Sequence, residues 1–195
     1  MKAFVLASNN AHKIQEVERV LHPLGYRLSP LKEFPEIPEP PETGTTFEAN
    51  ALQKARFVFE RTQKPTLADD SGLEVDALDG RPGVYSKRYT PEATARSNNK
   101  KLLEEMAHAS NRSARFVCAL ALVTSTGERV WRGTVEGVVG ALERGDHGFG
   151  YDPVFLPNAR PGKTMAELTA QEKDAISHRG AALEQLAEQI KSLVG

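Results

Sequence analysis

The sequence predicts a mixed α/β fold, one sheet flanked by helices, from three features. The apolar run from Lys2 to Ala7 gives way to apolar residues at helical spacing. Two long β-rich runs, "ARFVCALALV" and "ERVWRGTVEGVVGAL", join through Ser125, Thr126 and Gly127 as a hairpin. Leu183, Leu186, Ile190 and Leu193 then form a closing helical stripe. The 195 residues and 21.4 kDa suit a single domain, 1–195, and also allow two lobes within it.

Each element has its own reason. Lys2 to Ala7 reads as a buried strand, and Ile14, Val17, Val20, Leu21 and Leu24 as the apolar face of a first helix. "GYRLSP" is a short strand. The stretch from Pro30 to Thr43 holds too much proline for a helix or a central strand and is read as a loop. Thr45 and Glu48 form a capping box for a second helix with Phe47, Ala51, Ala55 and Val58 inside. "KPTLADDSGLEVDALDGRPGV" predicts a strand, a turn at Ser71-Gly72, a second strand and a Gly/Pro loop. "TPEATARSNNKKLLEEMAHA" predicts a helix with Pro91 in its first turn. "ERGDHGFGYDPVF" is a glycine-rich loop entering a short strand, and "ELTAQEKDAISHRG" leads to the last helix.

Composition narrows the function. The 25 Lys plus Arg balance 26 Asp plus Glu, a formal net charge of -1, so no general basic field draws the chain to nucleic acid or a membrane surface. The single cysteine, Cys118, sits in an apolar run and reads as core, as does Trp131. The five histidines lack ligand spacing for zinc. No leader pattern and no apolar run of about 20 residues is visible, so the expected setting is a soluble, reducing one, the cytoplasm.

Chemistry concentrates in the loops. Ser8, Asn9 and Asn10 end a strand where a helix begins, a place where backbone N–H groups and the helix dipole attract anions, and Lys13 adds a charge. The plain alternative is that Ser8 or Asn10 caps the helix. Ser97-Asn98-Asn99-Lys100 repeats these letters inside a helix, where the donors are spent on the helix itself, and is assigned no function. Asp69 and Asp70 point to opposite sides of an extended chain, and carboxylates so placed call for a cation, with an Asx turn around Ser71-Gly72 as the alternative. Of Glu36, Glu39 and Glu42, the last lies nearest the following helix and is the best further metal oxygen. Phe149 or Tyr151 could stack on a flat base, set among glycines that let a ligand approach. Lys173, His178 and Arg179 stand just ahead of the last helix, where they are either cap charges or contacts to phosphate or base edges.

Five stretches in order, "SNNAHK", "FEANALQKA", "ADDSGLEVDALDGRPGVYSKRY", "GFGYDPVF" and "ISHRGAAL", resemble the non-canonical purine nucleoside triphosphate pyrophosphatases, also called inosine triphosphate pyrophosphatases. The resemblance implies an elongated, two-lobed α/β body with a long mixed sheet and a substrate cleft between the lobes. It implies Mg²⁺-dependent hydrolysis of ITP, dITP and XTP to monophosphate and pyrophosphate by a homodimer, which clears them from the nucleotide pool before they enter DNA or RNA.

Residue by residue, Ser8, Asn9, Asn10, Ala11, His12 and Lys13 then resemble the triphosphate loop. Asp70 resembles the catalytic acid and a metal ligand, Glu42 a second ligand, and Ser71 a substrate contact. Phe149, Gly150, Tyr151 and Asp152 resemble the base-side loop, with Phe149 stacking, and Lys173, His178 and Arg179 the remaining substrate contacts. Competing readings are a pyrophosphatase for modified pyrimidine nucleotides and a non-catalytic nucleotide sensor; the sensor would not need the acid pair.

Overall fold

The computed structural model describes residues 2–193. β1 (Lys2–Leu6) leads through a bend into α1 (Ala11–Leu21), whose N-terminus Asn10 caps. The helix stops at Leu21 because Pro23 lacks the N–H the next turn would need. Leu24, expected on the helix stripe, instead sits in a 3-10 turn and is exposed. β2 (Tyr26–Pro30) runs parallel to β1, from Lys2↔Tyr26 to Leu6↔Pro30. Beyond a 3-10 turn at Leu31–Glu33, the proline-rich stretch is irregular, as composition predicts.

α2 (Phe47–Thr62) starts one residue later than expected. Its cap is Thr46, which accepts from the Ala49 N–H, while Glu48 turns to Arg132 at 2.6 Å instead of closing a box with Thr45. β3 (Thr66–Val75) is one continuous strand through Asp69, Asp70, Ser71 and Gly72, where the sequence predicts a turn. Gly72 serves close approach instead: a Cβ there would collide with Ser86 Oγ and Gly83 O. Ser86 Oγ accepts from Leu73 N at 2.9 Å and donates to Gly83 O at 2.7 Å, which seats the 3-10 turn Gly83–Arg88 on the strand.

α3 (Ala95–Glu105) is capped by Thr94 in a box with Ser97, so Pro91 precedes the helix rather than lying in its first turn. β4 (Ser113–Thr124) and β5 (Gly127–Val139) form the expected hairpin, joined by Ser125 and Thr126, with Gly127 already in the strand. β6 (Phe155–Pro157) runs antiparallel to β5. A short α4 (Ala170–Asp174) precedes α5 (His178–Leu193), so Lys173 lies in α4, and His178 and Arg179 open α5 rather than preceding it.

The strands form one mixed six-stranded sheet in the order β2-β1-β3-β4-β5-β6. The chain divides into two compact units. One takes the residues up to Asp70, Cys118–Gly133 and those from Arg179 on; the other takes Ser71–Val117 and Thr134–His178. The first has its own core, including Phe4, Leu21, Leu67, Leu120, Trp131 and Leu186. Cys118 belongs to that core, where burial pushes its thiol up to about 12. The second packs Leu73, Leu102, Met106, Phe116, Phe155 and Met165. Among the described residues no helix is long and apolar enough to cross a membrane.

Candidate functional site

In the first unit the adjacent carboxylates of β3 have separate partners, as alternation along an extended strand requires. Asp69 is 2% exposed and meets Lys13 Nζ at 2.9 Å and the Arg179 guanidinium at 2.9 Å. Arg179, 1% exposed, is also held by Glu16. Burial opposes ionisation of Asp69, but the charges of Lys13, Arg179 and Lys54 outweigh it and hold its carboxyl well below the usual carboxylate range.

Asp70 is different in kind. Its Oδ2 accepts from Asn50 Nδ2 at 3.0 Å and its Oδ1 from Lys54 Nζ at 3.2 Å. Burial raises its proton affinity, helped by the nearby Glu42 charge, and the favourable contacts with Lys54, Asn50 and Lys13 do not cancel that rise. Lys54 Nζ also lies 2.7 Å from Glu42 Oε1. Despite burial, which by itself would lower its pKa, Lys54 is pushed up by Asp70, Asp69 and Glu42 and stays charged. Glu42 and Asp70 thus converge on one cation. Lys13, Lys54 and Arg179 meet Glu16, Glu42, Asp69 and Asp70 in one cluster.

The loop before α1 is exposed at Asn9, Asn10, Ala11 and His12, and half-buried at Ser8. Asn10 Oδ1 accepts from His12 N at 3.0 Å and Lys13 N at 3.3 Å, and Ser8 Oγ from Asn10 N at 3.2 Å. Capping, the plain alternative, is therefore present, and the Lys13 side chain leaves the loop to meet Asp69.

In the second unit the glycine-rich loop closes on Asp152. This carboxylate, 3% exposed, accepts from Phe149 N at 2.8 Å and from Lys173 Nζ at 2.7 Å. A Cβ on Gly148, whose φ is +79, would collide with Asp152 Oδ2. The Lys173 ammonium lies 4.6 Å from the centre of the Phe149 ring. Tyr151 is buried in the core and its hydroxyl donates to Ser86 O at 2.9 Å, so of the two aromatics Phe149, half-buried, is the one presented by the loop. His178 is buried and stacks on Phe116 at 5.0 Å. Ser71 is half-buried in β3.

A model of the Ham1 family matches residues 4–189. The chain belongs to the Ham1 family. It is 49% identical to a dITP/XTP pyrophosphatase of Exiguobacterium sp. over 95% of both chains, and 44% identical to one of Bacillus subtilis over 98% of both. Among solved structures, a HAM1 protein from Coxiella burnetii superposes with a TM-score of 0.90 at 43% identity, covering 98% of this chain and 100% of that one.

Three residues of the first-unit cluster, Glu16, Asn50 and Lys54, escaped the sequence reading. Asn50 and Lys54 are four apart on α2 and flank the apolar stripe, so helical spacing places them on the buried side. A lysine and an asparagine on that stripe were the available signal. In Ser97-Asn98-Asn99 the donors are not all spent on the helix itself. Asn98 and Asn99 are 4% and 1% exposed, and their side-chain donors leave the helix, Asn98 Nδ2 for Ser86 O and Lys87 O, and Asn99 Nδ2 for Gly150 O.

Proposed function

We propose that this Ham1-family chain hydrolyses non-canonical purine nucleoside triphosphates, dITP, XTP and ITP, to the nucleoside monophosphate and pyrophosphate. The observation that carries the reading is the convergence of Glu42 and Asp70 on one buried cation, Lys54, beside an Asp69 already neutralised by Lys13 and Arg179. The names of the relatives, dITP/XTP pyrophosphatases nearly half identical along almost the whole chain, supply the substrate class.

The donor set suits Mg²⁺. Two carboxylates whose hard oxygens already share a cation match an ion that takes one or two protein carboxylates and completes its shell with phosphate and water. Bound to Glu42 and Asp70, Mg²⁺ would offset the charge that spreads over the phosphate oxygens.

The remaining work falls to side chains. Asp70, fixed at both oxygens by Asn50 and Lys54 and raised in proton affinity by burial, orients the attacking water and takes its proton. Lys54 and Lys13 supply positive charge to the phosphates, and the exposed Ser8–His12 loop adds polar groups. Phe149 takes the purine face, while Asp152 and Lys173 hold the loop that presents it. Ser71, Gly150, Tyr151, His178 and Arg179 remain proposed for the substrate site, the last as the partner that keeps Asp69 ionised. Homodimer assembly belongs to this proposal on the resemblance, and a cytoplasmic location and independence from nucleic acid and membranes belong to it on charge balance and sequence pattern.

The test is product analysis with Mg²⁺ and separate dITP, XTP, ITP, ATP and GTP. Pyrophosphate plus monophosphate from the first three, with ATP and GTP nearly untouched, is expected. Asp70→Asn should lower kcat by roughly 10²–10⁴-fold, the scale of a general base, while nucleotide binding persists. Orthophosphate as product, or full activity in Asp70→Asn, refutes the reading.

A further inference from the structure

The loop that carries Phe149 is held from two directions. From within, Asp152 accepts the Phe149 N–H, and Asp152 N donates to Phe149 O at 3.2 Å. From α3, Asn99 Nδ2 donates to Gly150 O at 3.1 Å and, at the longer distance of 3.5 Å, to Glu143 Oε2. Gly150 has a φ of +60, a left-handed conformation, so the chain turns sharply between Phe149 and the Gly150 carbonyl that Asn99 grips.

A cavity of about 390 Å³ borders the same loop, lined in part by Arg96, Asn99, Glu143, Phe149 and Gly150. Packing therefore does not fill this side of the loop, and a directional bond has more to do there than it would in a close-packed core.

The cost of Asn99 is visible. It is 1% exposed, and among the described residues its Oδ1 has no hydrogen-bond partner. A buried amide with an unmatched oxygen is less stable than an apolar side chain of similar size. Its neighbour Asn98 is satisfied at both ends: Oδ1 accepts from Thr90 N and Thr90 Oγ1, and Nδ2 donates to Ser86 O and Lys87 O. Asn98 is accounted for by folding, whereas the shorter of the two bonds Asn99 makes is its hold on Gly150.

We propose that Asn99 is a positioning residue for base selection, fixing the Gly150–Tyr151 peptide and, across the turn at Gly150, the attitude of the Phe149 ring. This rests on the reading that Phe149 receives the purine. If the ring drifts, a base meets it at a poorer angle and the margin between accepted and rejected purines narrows, while Asp70 and its partners are untouched.

The test is the ratio of kcat/KM for dITP to that for dATP, with melting temperature and hydrogen exchange at residues 148–152 as companion readouts. Asn99→Ala should cut the ratio about tenfold, mainly through a higher KM for dITP, with kcat within about twofold and faster exchange in the loop. Should Asn99→Ala fail to fold, Asn99→Asp keeps the shape but sets a carboxylate oxygen against the Gly150 carbonyl, and the same loss is expected. A wild-type ratio in a folded variant of either kind overturns the proposal. Phe149→Ala separates the two levels. A collapsed ratio there beside an intact one in the Asn99 variants defeats the positioning role alone, whereas an intact ratio in Phe149→Ala defeats the base-loop reading and this inference with it.

Discussion

Ser8-Asn9-Asn10 and Ser97-Asn98-Asn99 share their letters and differ in almost everything physical. In the first, which precedes α1, both asparagines are exposed and Asn10 caps the helix. In the second, three residues past the Thr94 cap, Asn98, Leu102 and Met106 recur at intervals of four, so the asparagines join the buried face of α3. The lysines diverge too. Lys13 reaches a buried aspartate at 2.9 Å, whereas Lys100 lies 3.8 Å from Glu104 with both side chains mostly exposed. A motif's meaning here depends on its phase relative to a helix start rather than on its composition.

The contrast can be broken most severely at the partner of Lys13. Asp69→Asn leaves the buried Arg179 and the half-buried Lys13 short of a counter-charge and should cost about 3–5 kcal/mol at neutral pH, as removal of one member of a buried pair does. Because the folded pKa of Asp69 lies below its ordinary value of 3.8, the aspartate's contribution is present above that pH and fades as pH falls through the folded value. Urea unfolding of both proteins across pH should therefore show a wide gap at pH 7 that narrows below about pH 3.8; a constant gap would mean the charge is not what matters.

A smaller loss is expected at the buried copy. Asn98→Ala removes four hydrogen bonds and strands Thr90 N and two carbonyls, so chemical unfolding should show about 3 kcal/mol lost. The exposed copy should yield least: Asn10→Ala loses a cap worth about 1 kcal/mol, measured by thermal unfolding. If Asn10→Ala cost more than Asn98→Ala, the distinction between surface cap and buried anchor would be wrong.

Much of the fold was legible because it is local. Alternation and helical spacing located β1, α1, the β4–β5 hairpin and α5, since each reports which side of a segment is apolar. The errors arose where a local signal had another cause. Ser71-Gly72 looked like a turn, but the glycine is needed for the approach of Ser86 and Gly83 to a continuous strand. Thr45 and Thr46 both offered a cap hydroxyl, and geometry selected the second. At the site, the carboxylates, Lys13 and the Phe149 loop could be picked out by type, whereas Glu16, Asn50 and Lys54 look like ordinary helix polar residues until α1 and α2 fold.

By itself, then, the sequence determined most of the elements, a cap at Ser8 or Asn10 before α1, and the residue types available for phosphate chemistry, because hydrophobic period and capping act over a few neighbouring residues. Tertiary structure alone decided which carboxylate meets which cation. Arg179 comes from 110 residues away to pair with Asp69, and Lys54 from 16 to reach Asp70. Desolvation then decides how each acid behaves: Asp69, flanked by Lys13 and Arg179, stays ionised, and Asp70, with a share of one lysine, holds its proton more tightly. Burial and distance set that difference, and neither is written in the order of two adjacent aspartates.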